Sequence, residues 1–173
     1  MGGGDLALGF RVMEMDDLRL LHEWLQRPHV RRWWSKHETY QEVVDSYSPA
    51  IEGSDPTDLY FVLLAGREIG FIETYLVADY PEYASLVGRG EGTAGVDLFI
   101  ADRTLTGKGI GSEILRRFVS QIVFADATTR RCVAGPEAAN VASVRAFEKA
   151  GFRVVSAFVE DGNESLLLQL DRP

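Results

Sequence analysis

Three glycines alternate with other residues in Thr106-Gly107-Lys108-Gly109-Ile110-Gly111-Ser112, and what flanks them limits the folds open to this chain. Before them, Val96 to Ala101 is an apolar run that predicts a strand. After them, Ile110, Ile114, Phe118 and Ile122 recur at helical spacing, with Leu115 and Val119 widening the stripe, so Ile110 to Phe124 predicts a helix. Glycines between a strand end and a helix start let the backbone turn tightly and approach a ligand, while the first amides of the helix point outward unpaired. Amides and helix dipole together make an anion site, with phosphate as the usual occupant.

Two common phosphate loops fail on counting. A Walker A loop needs a glycine five positions before its Gly-Lys-Ser/Thr, but Asp102 stands there and Gly109 follows Lys108. A dinucleotide fingerprint begun at Gly107 needs a third glycine where Ser112 stands.

The rest of the chain predicts what surrounds this turn. Leu6 to Met13 reads as a first strand, and Asp16-Asp17 as a cap for a helix through Leu18, Leu21, Trp24 and Leu25 that stops before Pro28. Thr39 to Ala50 reads as a second helix. Leu59 to Ala65 and Glu68 to Ala78 read as strands joined by a Gly66-Arg67 turn, and Asp79 to Gly92 as a long mobile loop. Arg131 to Gly135 predicts a strand, Asn140 to Ala150 a helix closed by Gly151, and Phe152 to Glu160 with Ser165 to Leu170 a hairpin about Asp161-Gly162-Asn163. The expected fold class is α/β (α+β), a mixed sheet carrying helices, in one domain spanning 1–173. The strand near Cys132 should run parallel to the one ending near Ala101, because a long helix connects them.

Charge narrows the partners. Lys and Arg number 18 against 26 Asp and Glu, a net charge of −8, so the average field favours a small cationic partner over nucleic acid. Arg27 to Lys36 mixes bases with Trp33 and Trp34, but it is one local cluster in an acidic chain. A Trp pair in such a loop serves as a core plug or as an aromatic wall of a ligand pocket. No apolar run reaches membrane length, and Met1-Gly2-Gly3-Gly4-Asp5 lacks both the basic and the apolar part of a signal peptide, so a cytoplasmic protein is expected. The single Cys132 sits in a strand that buries it, and His22, His29 and His37 lack metal-ligand spacing; no metal is expected.

Two carboxylates stand where burial makes them costly. Asp97 shares a strand face with Gly95 and Phe99, and Glu73 lies between Phe71 and Tyr75 on one face of its strand. Acids among aromatic rings can receive an ammonium group by charge pairing and cation–π contact, or can pair with an arginine of the chain itself.

The glycine turn, followed by Asn140-Val141-Ala142-Ser143-Val144-Arg145-Ala146-Phe147-Glu148-Lys149-Ala150-Gly151-Phe152, resembles the two acetyl-CoA segments of the GCN5-related N-acetyltransferases. Leu21 to Leu25, Arg32-Trp33-Trp34, Glu68 to Phe71, Gly95-Val96-Asp97 and Leu105 to Gly111 resemble, in order, the aminoglycoside 6'-N-acetyltransferase branch. The resemblance implies that superfamily's fold, a mixed and mostly antiparallel sheet with helices on both faces. It implies acetyl-CoA as cosubstrate, held by the strand backbone at Leu98, Phe99 and Ile100, by Thr106, Gly107, Lys108, Gly109, Ile110, Gly111 and Ser112, and by Asn140, Ser143 and Phe147. It further implies a cationic aminoglycoside as acceptor, lined by Trp34, Glu73, Tyr75, Asp97 and Asp161, with Asp97 as base.

The chain departs from the branch at two places. Gly135 precedes Pro136 where the branch often has Asp, and Phe147 stands where many relatives carry a Tyr acid. Alternatives left open are an acyltransferase for siderophore-type or peptide amines and a non-catalytic coenzyme sensor. The chain is expected to be a monomer or homodimer.

Overall fold

Short apolar runs broken by turns fold here into seven strands, and the stripes at helical spacing become helices laid between them. The computed structural model describes residues 6–34 and 37–173. The glycine-rich start and the last two positions of the basic segment, Ser35 and Lys36, lie outside the described residues. In chain order the elements are β1 (Leu8–Val12), α1 (Leu18–Leu25), α2 (Pro28–Arg31), α3 (Tyr40–Glu52), β2 (Asp58–Leu64), β3 (Arg67–Leu76), α4 (Pro81–Val87), β4 (Thr93–Ile100), α5 (Ile110–Gln121), β5 (Arg131–Ala134), α6 (Val141–Lys149), β6 (Arg153–Glu160) and β7 (Asn163–Asp171). The sheet order is β1-β2-β3-β4-β5-β7-β6. β4 and β5 pair in parallel, as the helical crossover requires, whereas β1 with β2, β5 with β7 and β6 with β7 are antiparallel.

Two compact units divide the chain, Met1–Glu73 with Leu98–Leu105, and Thr74–Asp97 with Thr106–Pro173. The first is held by aromatic packing. Leu18, Leu21, Trp24 and Leu25 form the apolar stripe of α1, and Trp24 packs at a tilt against Phe61, 4.7 Å between ring centroids. Phe71 and Phe99 stack at 5.4 Å between centroids. Fully burying such side chains stabilises by roughly 1.5–3 kcal/mol each. A Cβ on Gly70 would lie 2.5 Å from the Phe99 carbonyl oxygen, so only glycine lets the β3 backbone come this close to β4.

The second unit rests on Ile114, Leu115, Phe118 and Val119 of α5 and on a cluster of Val77, Val87, Val133, Phe158 and Leu167. Thr74 is buried there and donates to the Gly95 carbonyl at 2.8 Å, fixing β3 against β4.

Three local expectations are corrected. Residues 79–92 are not a long mobile loop: Pro81 takes the first turn of α4, where its missing N–H costs nothing, and left-handed Gly88 closes the helix. The β2–β3 turn is Ala65-Gly66, both at positive φ, one residue earlier than expected. Asp17 does not cap α1 with its side chain, because that carboxylate accepts from the Glu14 amide at 2.7 Å and from Arg11 at 2.9 Å.

Candidate active site

The glycine turn lies in the second unit. Gly107 and Gly109 have φ of 73° and 79°, a region that L side chains rarely adopt, and a Cβ on either would meet open space. They are therefore glycine for backbone reasons and not for want of room. Gly109 is the N-cap of the twelve-residue α5, and no side chain caps it. Thr106, Gly107, Lys108 and Gly109 are exposed, Ile110 is buried, Gly111 is half-buried, and the buried Ser112 donates to the Gly109 carbonyl at 2.9 Å. Glu113 also sits in this first turn. Hydrogen bonds from Arg117 and then Arg116, each at 2.9 Å, hold its carboxyl below the usual range, so its charge is matched within the helix. What remains is an exposed helix N-terminus with matched side-chain charge, and such a cradle fits a pyrophosphate.

α6 supplies the second expected segment. Asn140 caps it by accepting from the Ser143 amide at 3.3 Å, which brings these two predicted residues together. Phe147 faces inward, 4% exposed, edge-on to Phe152 at 5.1 Å. Arg116 of α5 donates to the Lys149 carbonyl at 2.7 Å and pins the two helices.

β4 carries the reacting carboxylate of the sequence reading. Asp97 is half-buried, next to fully buried Val96. The paired register of β4 with β5 covers Thr93, Ala94 and Gly95, opposite Arg131, Cys132 and Val133. Tyr75 lies across Gly95: a Cβ there would fall 2.3 Å from the ring. Tyr75 therefore covers Gly95, which by strand alternation shares a face with Asp97. The field of Asp97 reaches further. Burial first, and then Asp97, push the Cys132 thiol well above its ordinary range, so the one cysteine stays protonated.

In the first unit, Trp34 is half-buried and packs edge-on against Phe99 at 5.0 Å and Phe71 at 5.6 Å, with its indole N–H donating to the Tyr47 hydroxyl at 3.0 Å. Phe99 itself is 8% exposed, while Leu98, Ile100 and Glu73 are half-buried. Asp161 is exposed in the β6–β7 turn, with φ of 50°.

The structure gives several side chains roles that the sequence reading did not assign. Arg27 donates to the Ala101 carbonyl at 2.7 Å and His29 hydrogen-bonds the Ile100 carbonyl at 2.9 Å, so the end of β4 is held by side chains from the segment after α1. Arg31 donates to Gln26 and Glu38, and Arg32 lies over Trp33 at 4.7 Å. Among the described residues of this segment, Arg27, His29, Arg31 and Arg32 make internal contacts. Tyr83 enters from α4, and its only sequence signal is the Tyr-Pro that opens that helix. Among the described residues no group of three or more His, Cys, Asp or Glu could hold a metal ion, and no helix is long and apolar enough to cross a membrane.

Residues 14–159 match the family model described as an acetyltransferase (GNAT) domain. The chain belongs to the GNAT acetyltransferases. Within that family it is 30% identical over 149 residues to the aminoglycoside N(6')-acetyltransferase type 1 of Klebsiella pneumoniae, covering 84% of this chain and 74% of the relative. It is 25% identical over 181 residues to the lysine N-acyltransferase MbtK of Mycolicibacterium paratuberculosis, covering 98% of this chain and 76% of the relative. A crystal structure of the aminoglycoside acetyltransferase AAC(6')-Ib with coenzyme A and kanamycin superposes with a TM-score of 0.81 at 26% identity, covering 95% of each chain. The GNAT fold explains the order of parts found here, with a glycine turn between β4 and α5 and a capped helix after β5.

Proposed function

We propose that this GNAT enzyme transfers the acetyl group of acetyl-CoA to a primary amine, the 6'-amine of an aminoglycoside, by direct attack within a ternary complex. The observation that carries this reading is the conjunction of an exposed positive-φ glycine turn at the start of α5 with the half-buried Asp97 of β4, in a chain 30% identical to an aminoglycoside 6'-acetyltransferase. The amides of Gly107 to Ser112 hold the coenzyme pyrophosphate, and backbone N–H groups of β4 polarise the thioester carbonyl. Trp34, Glu73, Tyr75 and Asp161 receive the acceptor, whose positive charge suits a chain of net charge −8. Asp97 takes a proton from the ammonium, directly or through water. The amine nitrogen then bonds to the acetyl carbon, the carbon–sulfur bond breaks with its electron pair leaving on sulfur, and the second proton of the nitrogen passes to the departing thiolate or to water as the amide forms. A thiol of pKa near ~8.5 leaves as thiolate with little help, which removes the need for an acid at Phe147. Positioning two bound reactants is worth up to ~7–11 kcal/mol and outweighs the base.

A second reading has its own support. Similarity to the lysine N-acyltransferase MbtK spans nearly the whole chain and favours a lysine-type amine as acceptor. Release of free thiol from acetyl-CoA, measured with kanamycin, lysine and a linear polyamine, separates the two. Turnover highest on kanamycin is the expected result. Turnover on lysine alone selects the second reading, and coenzyme binding without turnover on any amine makes the chain a sensor.

A further inference from the structure

α4 delivers one aromatic group that the reading above leaves unused. The Tyr83 ring stands 6.1 Å from that of Tyr75 and 6.3 Å from that of Phe158, all within the second unit. A Cβ built on Gly135 would lie 3.0 Å from the Tyr83 oxygen and 2.8 Å from Phe158 Cζ, so the hydroxyl hangs over the end of β5. Gly95 pairs with Val133 across β4 and β5. That is the last pair of the ladder, and Asp97 follows two residues later on β4 and Gly135 just after the end of β5. A larger residue at position 135 would press on Tyr83 and Phe158 and force them to shift.

A side-chain hydrogen bond links Tyr83 to Tyr75. Burial first, then the charge of Asp97, push the Tyr83 phenol well above its ordinary value and keep it protonated. A neutral donor beside a carboxylate adds direction without adding charge. It cannot usefully donate to the attacking amine, whose lone pair must stay free for the acetyl carbon. Its productive partner is an acceptor atom next to that amine.

We propose that Tyr83 positions the acceptor by donating a hydrogen bond from its hydroxyl to an oxygen flanking the reacting amine, so that amines beside a hydroxyl or ring oxygen are preferred to bare alkylamines. This inference rests on the acetyl-transfer reading above. It makes α4 part of the acceptor site, with Gly95 and Gly135 as the two clearances that let Tyr75 and Tyr83 reach over the strands.

The test compares the full-length wild type with Tyr83→Phe, using kanamycin as the oxygen-flanked amine and 1,5-diaminopentane as the bare one. Binding to the coenzyme-A-bound protein is measured by calorimetry, and turnover by thiol release. For kanamycin, Tyr83→Phe should raise Kd and KM about tenfold, the scale of one lost hydrogen bond, and leave kcat within about twofold. For diaminopentane the change should stay under about twofold. Gly135→Ala, which displaces the Tyr83 oxygen without removing it, should shift kanamycin in the same direction by less. Equal losses on both amines, or none on kanamycin, overturn the role of Tyr83 while leaving acetyl transfer intact. If the wild type neither binds nor acetylates either amine, although coenzyme A still raises its melting temperature, the acetyl-transfer reading fails and this inference fails with it.

Discussion

Two sets of glycines sit near the chemistry of this chain, and they are glycine for opposite reasons. At the α5 turn, Gly107 and Gly109 have positive φ and nothing within 4 Å of a built Cβ. On β4 and just after β5, Gly95 and Gly135 have no positive φ, but a Cβ would strike Tyr75 at 2.3 Å or Phe158 at 2.8 Å. The turn is a backbone device and is indifferent to its side chains. The strand floor is a side-chain device, and its glycines exist to admit tyrosines. The first kind suits a ligand grasped by amides, and the second suits a ligand met by hydroxyls, rings and a carboxylate.

The sharpest way to probe the strand floor is Asp97→Asn, which keeps shape and removes the base. It should lower kcat about 100-fold or more while coenzyme affinity, measured by calorimetry, stays within about twofold. An unchanged kcat removes Asp97 from the mechanism. Gly95→Ala comes next, since it must expel the Tyr75 ring. Overpacking of this kind should cost about 1–3 kcal/mol in chemical denaturation and weaken the acceptor more than the coenzyme.

At the turn the pattern should reverse. Gly109→Ala meets no neighbour but holds an L residue at φ of 79°, so it should cost about 1–2 kcal/mol and weaken coenzyme A without touching acceptor binding. Lys108→Ala, which leaves the backbone alone, should change coenzyme affinity by less than about threefold at physiological salt. A larger effect of Lys108 than of Gly109 would break the contrast between the two devices.

The smallest expected effect is on pH. Tyr83 and Cys132 both have folded-state values raised above their unfolded ones, by burial first and by Asp97 second. Their contribution to stability is complete below the unfolded values, near ~8.5 for the thiol and ~10 for the phenol, and is lost as pH rises beyond them. Denaturation midpoints should therefore fall above about pH 9, and less steeply in Cys132→Ala.

Sequence alone determined the periodic parts. The apolar stripe from Ile110, the alternation around Asp97 and the Asn140 cap each depend on neighbours a few residues apart, so their spacing is legible, and the turn between β4 and α5 follows from them. The family was legible too, because Leu105 to Gly111 and Asn140 to Phe152 carry its signature. The tertiary structure decided what depends on distant partners. α4 was hidden because seven residues opened by a proline and followed by glycines give too short a period to detect. The roles of Arg27 and His29 depend on carbonyls more than seventy positions away, at Ala101 and Ile100. Tyr83 reaches Gly135 only because the fold brings α4 and β5 together, and close approach between segments leaves no mark in local spacing.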